Sequence, residues 1–162
     1  MDSIREQIIL IILDLLDGLA APLPVDGEAA ATVYRARKFF DPATGEVPAV
    51  SVFPQPDEPG NEESYDVDSL IMPIEVHVLA LFGDRNPSEL GELMLAELRY
   101  ALGGCDPSRA ALFNVLGELI DSIRFVGGGI EDYPDEDDQA LVVRGVFNIE
   151  YSTVAGDPYH KI

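Results

Sequence analysis

The sequence has few of the residues on which metal centres and cross-linked folds depend. Cys105 is its only cysteine, and His77 and His160 are its only histidines. A single cysteine excludes an intrachain disulfide framework and a zinc site built from cysteines. Two histidines exclude a histidine-rich metal centre.

Positive charge is also scarce. The 162 residues include 10 Lys and Arg against 30 Asp and Glu, which gives a formal net charge of -20 at pH 7. Phosphate backbones and anionic lipid surfaces repel such a chain, so we expect neither specific nucleic-acid binding nor membrane association. Asp14 and Asp17 interrupt the first apolar run, which argues against a membrane-spanning helix or a signal peptide there.

Apolar residues, by contrast, are plentiful. Hydrophobic residues make up 47% of the chain and charged residues 25%, proportions that exclude a mainly disordered protein. The length is that of one domain, so we expect residues 1–162 to form a single unit.

Three segments carry helix-start signals. Ser3 and Glu6 form a capping-box pattern ahead of a largely apolar stripe, which predicts a helix over 3–19 that is buried on two sides, in a core or partly against another subunit. The run 86–89, Asn-Pro-Ser-Glu, predicts a second helix that ends at Gly103, and the run 106–108, Asp-Pro-Ser, predicts a short third helix.

Alternating and β-branched runs predict the strands, and proline, glycine and clustered acids predict the loops. The predicted strands are 32–39, 47–53, 70–82, 120–126 and 141–151. The order of elements predicts an α+β domain with an antiparallel or mixed sheet of about four to five strands and helices packed on one face. The run Gly127-Gly128-Gly129 has no phosphate-loop context and predicts a bulge or tight bend.

Two predicted loops, 54–69 and 131–138, concentrate the negative charge. Six acids lie between Asp57 and Asp68, and six more lie between Glu131 and Asp138. Asp132, Asp135, Asp137 and Asp138 could ligate calcium, but they do not match the EF-hand spacing. A solvated hairpin tip is the favoured interpretation of the second loop.

The candidate site residues are polar groups that suit an interface. Three of the ten cations of the chain, Arg35, Arg37 and Lys38, lie within four consecutive residues. Arg35 and Arg37 would share one face of a strand. Two interpretations are open: a solvated strand edge, or a match for the acids of a neighbouring subunit. Glu75 and His77 lie on the strand face opposite the main apolar stripe, where a lone histidine is more typical of packing or an interface than of catalysis.

Signatures of enzymes are missing. The sequence has no Gly-x-Ser-x-Gly elbow, and Cys105 has no histidine near it in the chain. The clustered carboxylates fall in polar loops rather than in a cleft that would shift a pKa. We therefore expect no catalytic residues, no metal and no cofactor, and a hydrolase that uses carboxylates ranks last among the functions considered.

Seven short segments occur in a characteristic order. They are Tyr34-Arg35-Ala36-Arg37, Phe40-Asp41-Pro42, Pro48–Val52, Ile74–Val78, Asn86-Pro87 with a helix ending before Gly103, Phe147–Thr153 and Gly156-Asp157-Pro158. In this order and spacing the chain resembles the small tail terminator (tail completion) proteins of tailed bacteriophages and prophages. The acidic stretch 57–68 is longer than that family implies.

The resemblance implies a structural protein of the virion, made in the host cytoplasm. Tail terminators form a hexameric ring on the last ring of tail tube protein, stop tube polymerisation and offer a surface to the head-tail connector or neck proteins. The alternatives are another neck or head-tail joining protein, or a small acidic module that binds calcium or a protein. Arg35, Arg37, Lys38, Glu75 and His77 are the candidates for subunit or tube contacts.

Overall fold

The computed structural model describes residues 1–22, 28–38, 47–131 and 140–162. Over these ranges the chain forms three α-helices, a short 3-10 turn at Pro107–Arg109 and nine strands. The helices are α1 (Ile4–Leu16), α2 (Pro87–Leu102) and α3 (Ala110–Leu119). The strands are β1 (Ala20–Pro22), β2 (Glu28–Ala30), β3 (Thr32–Arg35), β4 (Ala49–Pro54), β5 (Glu58–Ser64), β6 (Val67–Leu81), β7 (Ser122–Ile130), β8 (Ala140–Val154) and β9 (Asp157–Lys161).

Two long antiparallel strands, β6 and β8, form the centre of the main sheet. They pair along their whole length, from Val67 opposite Val154 to Leu81 opposite Ala140. β5 and β4 pair with the first and second parts of β6, and β7 and β9 pair with successive parts of β8. β3 joins β4 in parallel, so the sheet is mixed, while β1 and β2 form a separate two-stranded sheet.

The predicted α+β class is confirmed, but the described part of the main sheet has seven strands rather than four to five. The prediction of a loop over 54–69 is wrong, because that stretch contains β5 and the beginning of β6. β5 lies at the edge of the sheet and its pairing shifts register between Pro59 and Glu63. Proline, glycine and charged residues are tolerated in such a bulged edge strand, since one side of the strand forms no hydrogen bonds to a neighbouring strand.

The helices cover one face of this sheet and share one core with it. α1 begins as predicted, with the Ser3 hydroxyl accepting a hydrogen bond from the Glu6 amide, and it buries six residues. α2 also begins as predicted, because the Asn86 side chain accepts hydrogen bonds from the amides of Ser88 and Glu89. The largest fully buried side chains are Ile8, Ile9, Ile12, Leu15, Leu16, Met72, Ile74, Met94, Leu98, Leu102, Leu116 and Leu141.

The glycine run 127–129 lies inside β7 rather than after it. The pairing of β7 with β8 shifts register between Phe125 and Gly127, so the predicted bulge is confirmed. Gly128 has φ +156° and Gly129 has φ +152°, values that L side chains rarely adopt. No helix in the described part of the chain is long and apolar enough to cross a membrane.

Candidate functional site

The candidate site lies on the sheet face that points away from the helices. Side chains alternate across a strand, so Val76 points into the core with no exposed surface while Glu75 and His77 point the other way, as predicted. Pairing of β6 with its neighbours sets Phe53 beside Glu75 and Arg144 beside His77. The centre of the site is therefore built on three adjacent strands, β4, β6 and β8.

Glu75 is the centre of this cluster. Arg144 Nη2 donates a hydrogen bond to Glu75 Oε1 over 2.6 Å, and His77 Nε2 lies 3.2 Å from Glu75 Oε2. The rings of Phe53 and His77 pack at a tilt, with their centroids 4.8 Å apart. Each polar group is thus held by a neighbour, which fixes the arrangement in advance of any binding.

The ion pair between Glu75 and Arg144 shifts the pKa of both residues. The hydrogen bond from Arg144 lowers the pKa of Glu75 below its ordinary value, an effect that partial burial opposes and His77 reinforces. The same bond raises the pKa of Arg144. The pair is accordingly charged at neutral pH.

A shallow groove of about 500 Å³ surrounds the cluster, and we call it the open-face groove. Its lining residues are Lys38, Phe53, Gln55, Glu75, His77, Glu131 and Val142. Three of the predicted candidates, Lys38, Glu75 and His77, are therefore brought together at one place. Lys38 is exposed, so it offers a positive charge at the groove.

The other two candidates lie apart from the groove and from each other. Arg35 forms a two-pronged ion pair with Glu6 of α1 in the same chain, at 2.6 and 2.9 Å. Arg37 lies over the ring of Tyr34, 4.8 Å from its centroid. The prediction that Arg35 and Arg37 share one strand face is wrong, because β3 ends at Arg35 and Ala36 has φ +56°, which redirects the chain.

Sequence reasoning missed Arg144 and Phe53. Arg144 is the only cation within β8, and it alternates with the apolar residues Leu141, Val143 and Phe147. That position marks it as a residue of the face opposite the core. Its pairing with Glu75 depends on the register of β6 against β8, which neither strand encodes by itself.

A second polar network fixes the segment ahead of β5. Tyr151, only 2% exposed, donates a hydrogen bond from its hydroxyl to Asp57 Oδ2 over 2.8 Å. Arg5 of α1 bonds both Asp57 Oδ1, at 3.2 Å, and the carbonyl of Gln55, at 2.7 Å. Burial, together with the bond to Asp57, raises the pKa of Tyr151. The base of the β5–β6 hairpin is thereby tied to α1 and β8.

The other end of that hairpin is its turn, Tyr65 and Asp66, which we call the hairpin tip. The Tyr65 side chain is fully exposed, at 102%. The Asp66 carbonyl accepts a hydrogen bond from the Ala155 amide over 3.0 Å, and the Asp66 amide donates one to the Ser64 hydroxyl over 3.3 Å. The backbone of the tip is thus fixed while its aromatic side chain contacts solvent.

The described ranges contain no candidate metal site, and the cysteine within them is exposed. No group of three or more His, Cys, Asp or Glu among those residues could hold a metal ion. The proposed calcium ligands Asp132, Asp135, Asp137 and Asp138 lie outside the described residues. Cys105 is exposed, with its sulfur 3.8 Å from the Gly103 carbonyl oxygen.

No protein-family model matches the chain, and no curated protein matches its sequence.

We expect the Glu75–Arg144 pair to make stability depend on acid pH. A lowered pKa contributes stability that is present above the ordinary pKa of 4.5 and is lost as the pH falls through the folded-state pKa. Glu75→Gln should therefore lower the free energy of unfolding at pH 7, by about 1 kcal/mol or less because Arg144 is 41% exposed. This deficit should shrink as the pH falls below 4.5. Urea unfolding of parent and variant at pH 7, 5 and 3 measures it.

The matched control for this prediction is Glu150→Gln. Glu150 pairs with Arg124 at 3.2 Å, but the Arg124 side chain is 67% exposed, so this change should alter stability little. A Glu75→Gln deficit that is equal at pH 3 and pH 7 would contradict this prediction, because a loss that does not depend on pH does not come from the carboxylate charge.

Proposed function

We propose that this chain is a tail terminator, a structural subunit that forms a ring on a phage tail tube, stops its polymerisation and receives the head-side connector. The observation that carries the proposal is the presence of two unlike surfaces on one sheet. One is the ion-paired open-face groove, and the other is the acidic β5–β6 end with its exposed hairpin tip. A closed ring needs such unlike surfaces, since each copy must contact two neighbours in a head-to-tail manner.

The location of the resembling segments supports the same proposal. Pro48–Val52, Ile74–Val78 and Phe147–Thr153 lie in or beside β4, β6 and β8, which are neighbours in the sheet. Asn86-Pro87 provides the N-cap and first residue of α2. These four segments thus belong to one continuous framework, while Phe40-Asp41-Pro42 lies outside the described residues.

The charge of the chain suits a ring that surrounds DNA. Tail DNA must pass through the lumen without adhering, and a negatively charged lining repels its phosphates. Six copies at -20 each bring a large negative charge to the ring. Lys38 in the open-face groove and the adjoining Arg144 then lie where a neighbouring protein can use their positive charges.

The test is the mass of the particle and its action on tail tubes. Six copies of 17.6 kDa give a particle of about 106 kDa, which light scattering should detect for the purified chain or after tube protein is added. Tubes polymerised with the chain present should stop growing, and electron microscopy should find it at their ends. A stable monomer that fails to bind tube ends contradicts the proposal. Binding to the connector but not to tubes favours the alternative, a neck protein.

A further inference from the structure

We propose that the hairpin tip of one copy of this chain docks in the open-face groove of a second copy. Tyr65 would pack against Phe53 and His77, and Asp66 would lie near Lys38. The inference deepens the proposed function, on which its role in a ring rests, by naming the contact between neighbouring subunits.

The hairpin tip has the properties of a binding element. Tyrosine buries a large area at a small cost in side-chain entropy and is enriched among the residues that dominate binding energy. The Tyr65 side chain is fully exposed, and the backbone of the tip is held by Ala155 and Ser64. Little ordering is therefore needed when the tip binds, which favours affinity.

The open-face groove has the properties of a receptor for this tip. Its volume of about 500 Å³ lies within the range of ligand pockets, and the Phe53 and His77 rings give it an aromatic floor. Arg144 pairs with Glu75, so that carboxylate is neutralised, and Lys38 adds a positive charge to a lining that also contains Glu131. An acidic tip is thus not repelled here, although the chain as a whole carries -20.

Distance excludes the tip of the same chain as the occupant. Val67, which follows the tip, and His77, in the groove, lie ten residues apart on the single strand β6. At about 3.3 Å per residue this is roughly 33 Å. The tip lies at one end of the sheet and the groove lies towards the other end, so the contact between two copies is head-to-tail. Repeated contacts of this kind form a closed ring when the rotation between successive copies brings the last copy back to the first.

The first experiment compares assembly of single variants by sedimentation. Tyr65→Ala and Lys38→Glu should each weaken self-association at least tenfold relative to the parent. Tyr100→Ala removes a tyrosine that is 45% exposed on α2, and Arg85→Glu reverses a cation in the turn before α2, so both serve as controls that should assemble like the parent. Thermal unfolding of each variant verifies the fold. The double variant Lys38→Glu with Asp66→Lys should recover assembly relative to Lys38→Glu alone.

The second experiment mixes the two single variants. Tyr65→Ala retains an intact groove and Lys38→Glu retains an intact tip, so a mixture has one functional contact per pair. It should form 1:1 pairs of about 35 kDa, twice the 17.6 kDa chain, and no ring. A mixture that stays monomeric overturns the head-to-tail contact, because the intact groove and the intact tip would have failed to bind.

Failure of this inference can be told apart from failure of the tail-terminator proposal. Folded Tyr65→Ala and Lys38→Glu variants that assemble like the parent, or a parent that is monomeric by itself at 200 µM, overturn the contact. Capping of tubes by the same parent would leave the proposed function intact. Conversely, assembly through the tip and groove without any effect on tubes supports the contact and contradicts the tail function.

Discussion

Gly128→Ala is expected to lower the free energy of unfolding by about 3 kcal/mol or more. A Cβ at this position would lie 2.2 Å from the carbonyl oxygen of Arg144 and 2.9 Å from the Cα of Gly145, both of them backbone atoms of β8. The φ of +156° adds backbone strain. Strained dihedrals and overpacking each cost about 1–3 kcal/mol, and the pairing with β8 leaves no flexible side chain to move aside. Urea unfolding with a fixed m-value measures the loss.

Substitutions of the neighbouring glycines, Gly127 and Gly129, distinguish the effect of close approach from the effect of backbone strain. A Cβ on Gly127 meets nothing within 4 Å, and Gly127 is not among the glycines with positive φ, so Gly127→Ala should change stability little. Gly129 combines open space with φ +152°, so Gly129→Ala should report the backbone strain alone. Equal losses for Gly127→Ala and Gly128→Ala would contradict the argument from close approach.

The bulge in β7 also bears on the geometry of the candidate site. The strand that Gly128 approaches carries Arg144, whose guanidinium holds Glu75. Displacement of the Arg144 backbone would move the ion pair as well, so a folded fraction of Gly128→Ala should have a disturbed open-face groove. We therefore expect Gly128 to contribute both to the bulge and to the geometry of the site.

Local signals predicted the helices and the central strands well. The Ser3 and Asn86 caps are short-range chemistry between residues two or three apart, and the structure contains both. The alternation in β6 likewise separates Val76 from Glu75 and His77 correctly. In each case the physical cause lies within one segment, so the sequence of that segment is sufficient.

The errors concern features that depend on contacts between distant segments. Residues 54–69 have the composition of a loop, yet pairing with β6 makes part of them the edge strand β5. Arg35 finds Glu6, 29 residues away, because β3 lies beside α1. Arg144 finds Glu75, 69 residues away, through strand register. Only the folded chain determines these partners, and one of the pairs, Glu75 with Arg144, lies at the centre of the site.

The second large effect is expected in α1. Ile8 is completely buried in the core shared by the helices and the sheet. Ile8→Ala removes three carbons and leaves a cavity that its packed neighbours can fill only in part. Such changes cost about 2–5 kcal/mol, and we expect a loss in the middle of this range in urea unfolding.

Leu10→Ala is the matched control, because Leu10 is on the same helix but is 42% exposed. The apolar stripe of α1 predicts that the helix is buried on two sides. Ile8 and Leu10 distinguish a side that is buried within the domain from a side that a neighbouring copy covers. Burial within the domain makes Ile8→Ala costly in a dilute monomer, while Leu10→Ala should change its stability by less than about 0.5 kcal/mol. If Leu10→Ala cost as much as Ile8→Ala in the monomer, the outer side of α1 would have to be part of the core, contrary to its exposure.

A loss of stability for Leu10→Ala that appears only at protein concentrations where the chain assembles would have a different meaning. It would show that a neighbouring copy covers the outer side of α1, since only assembly changes the surroundings of that side.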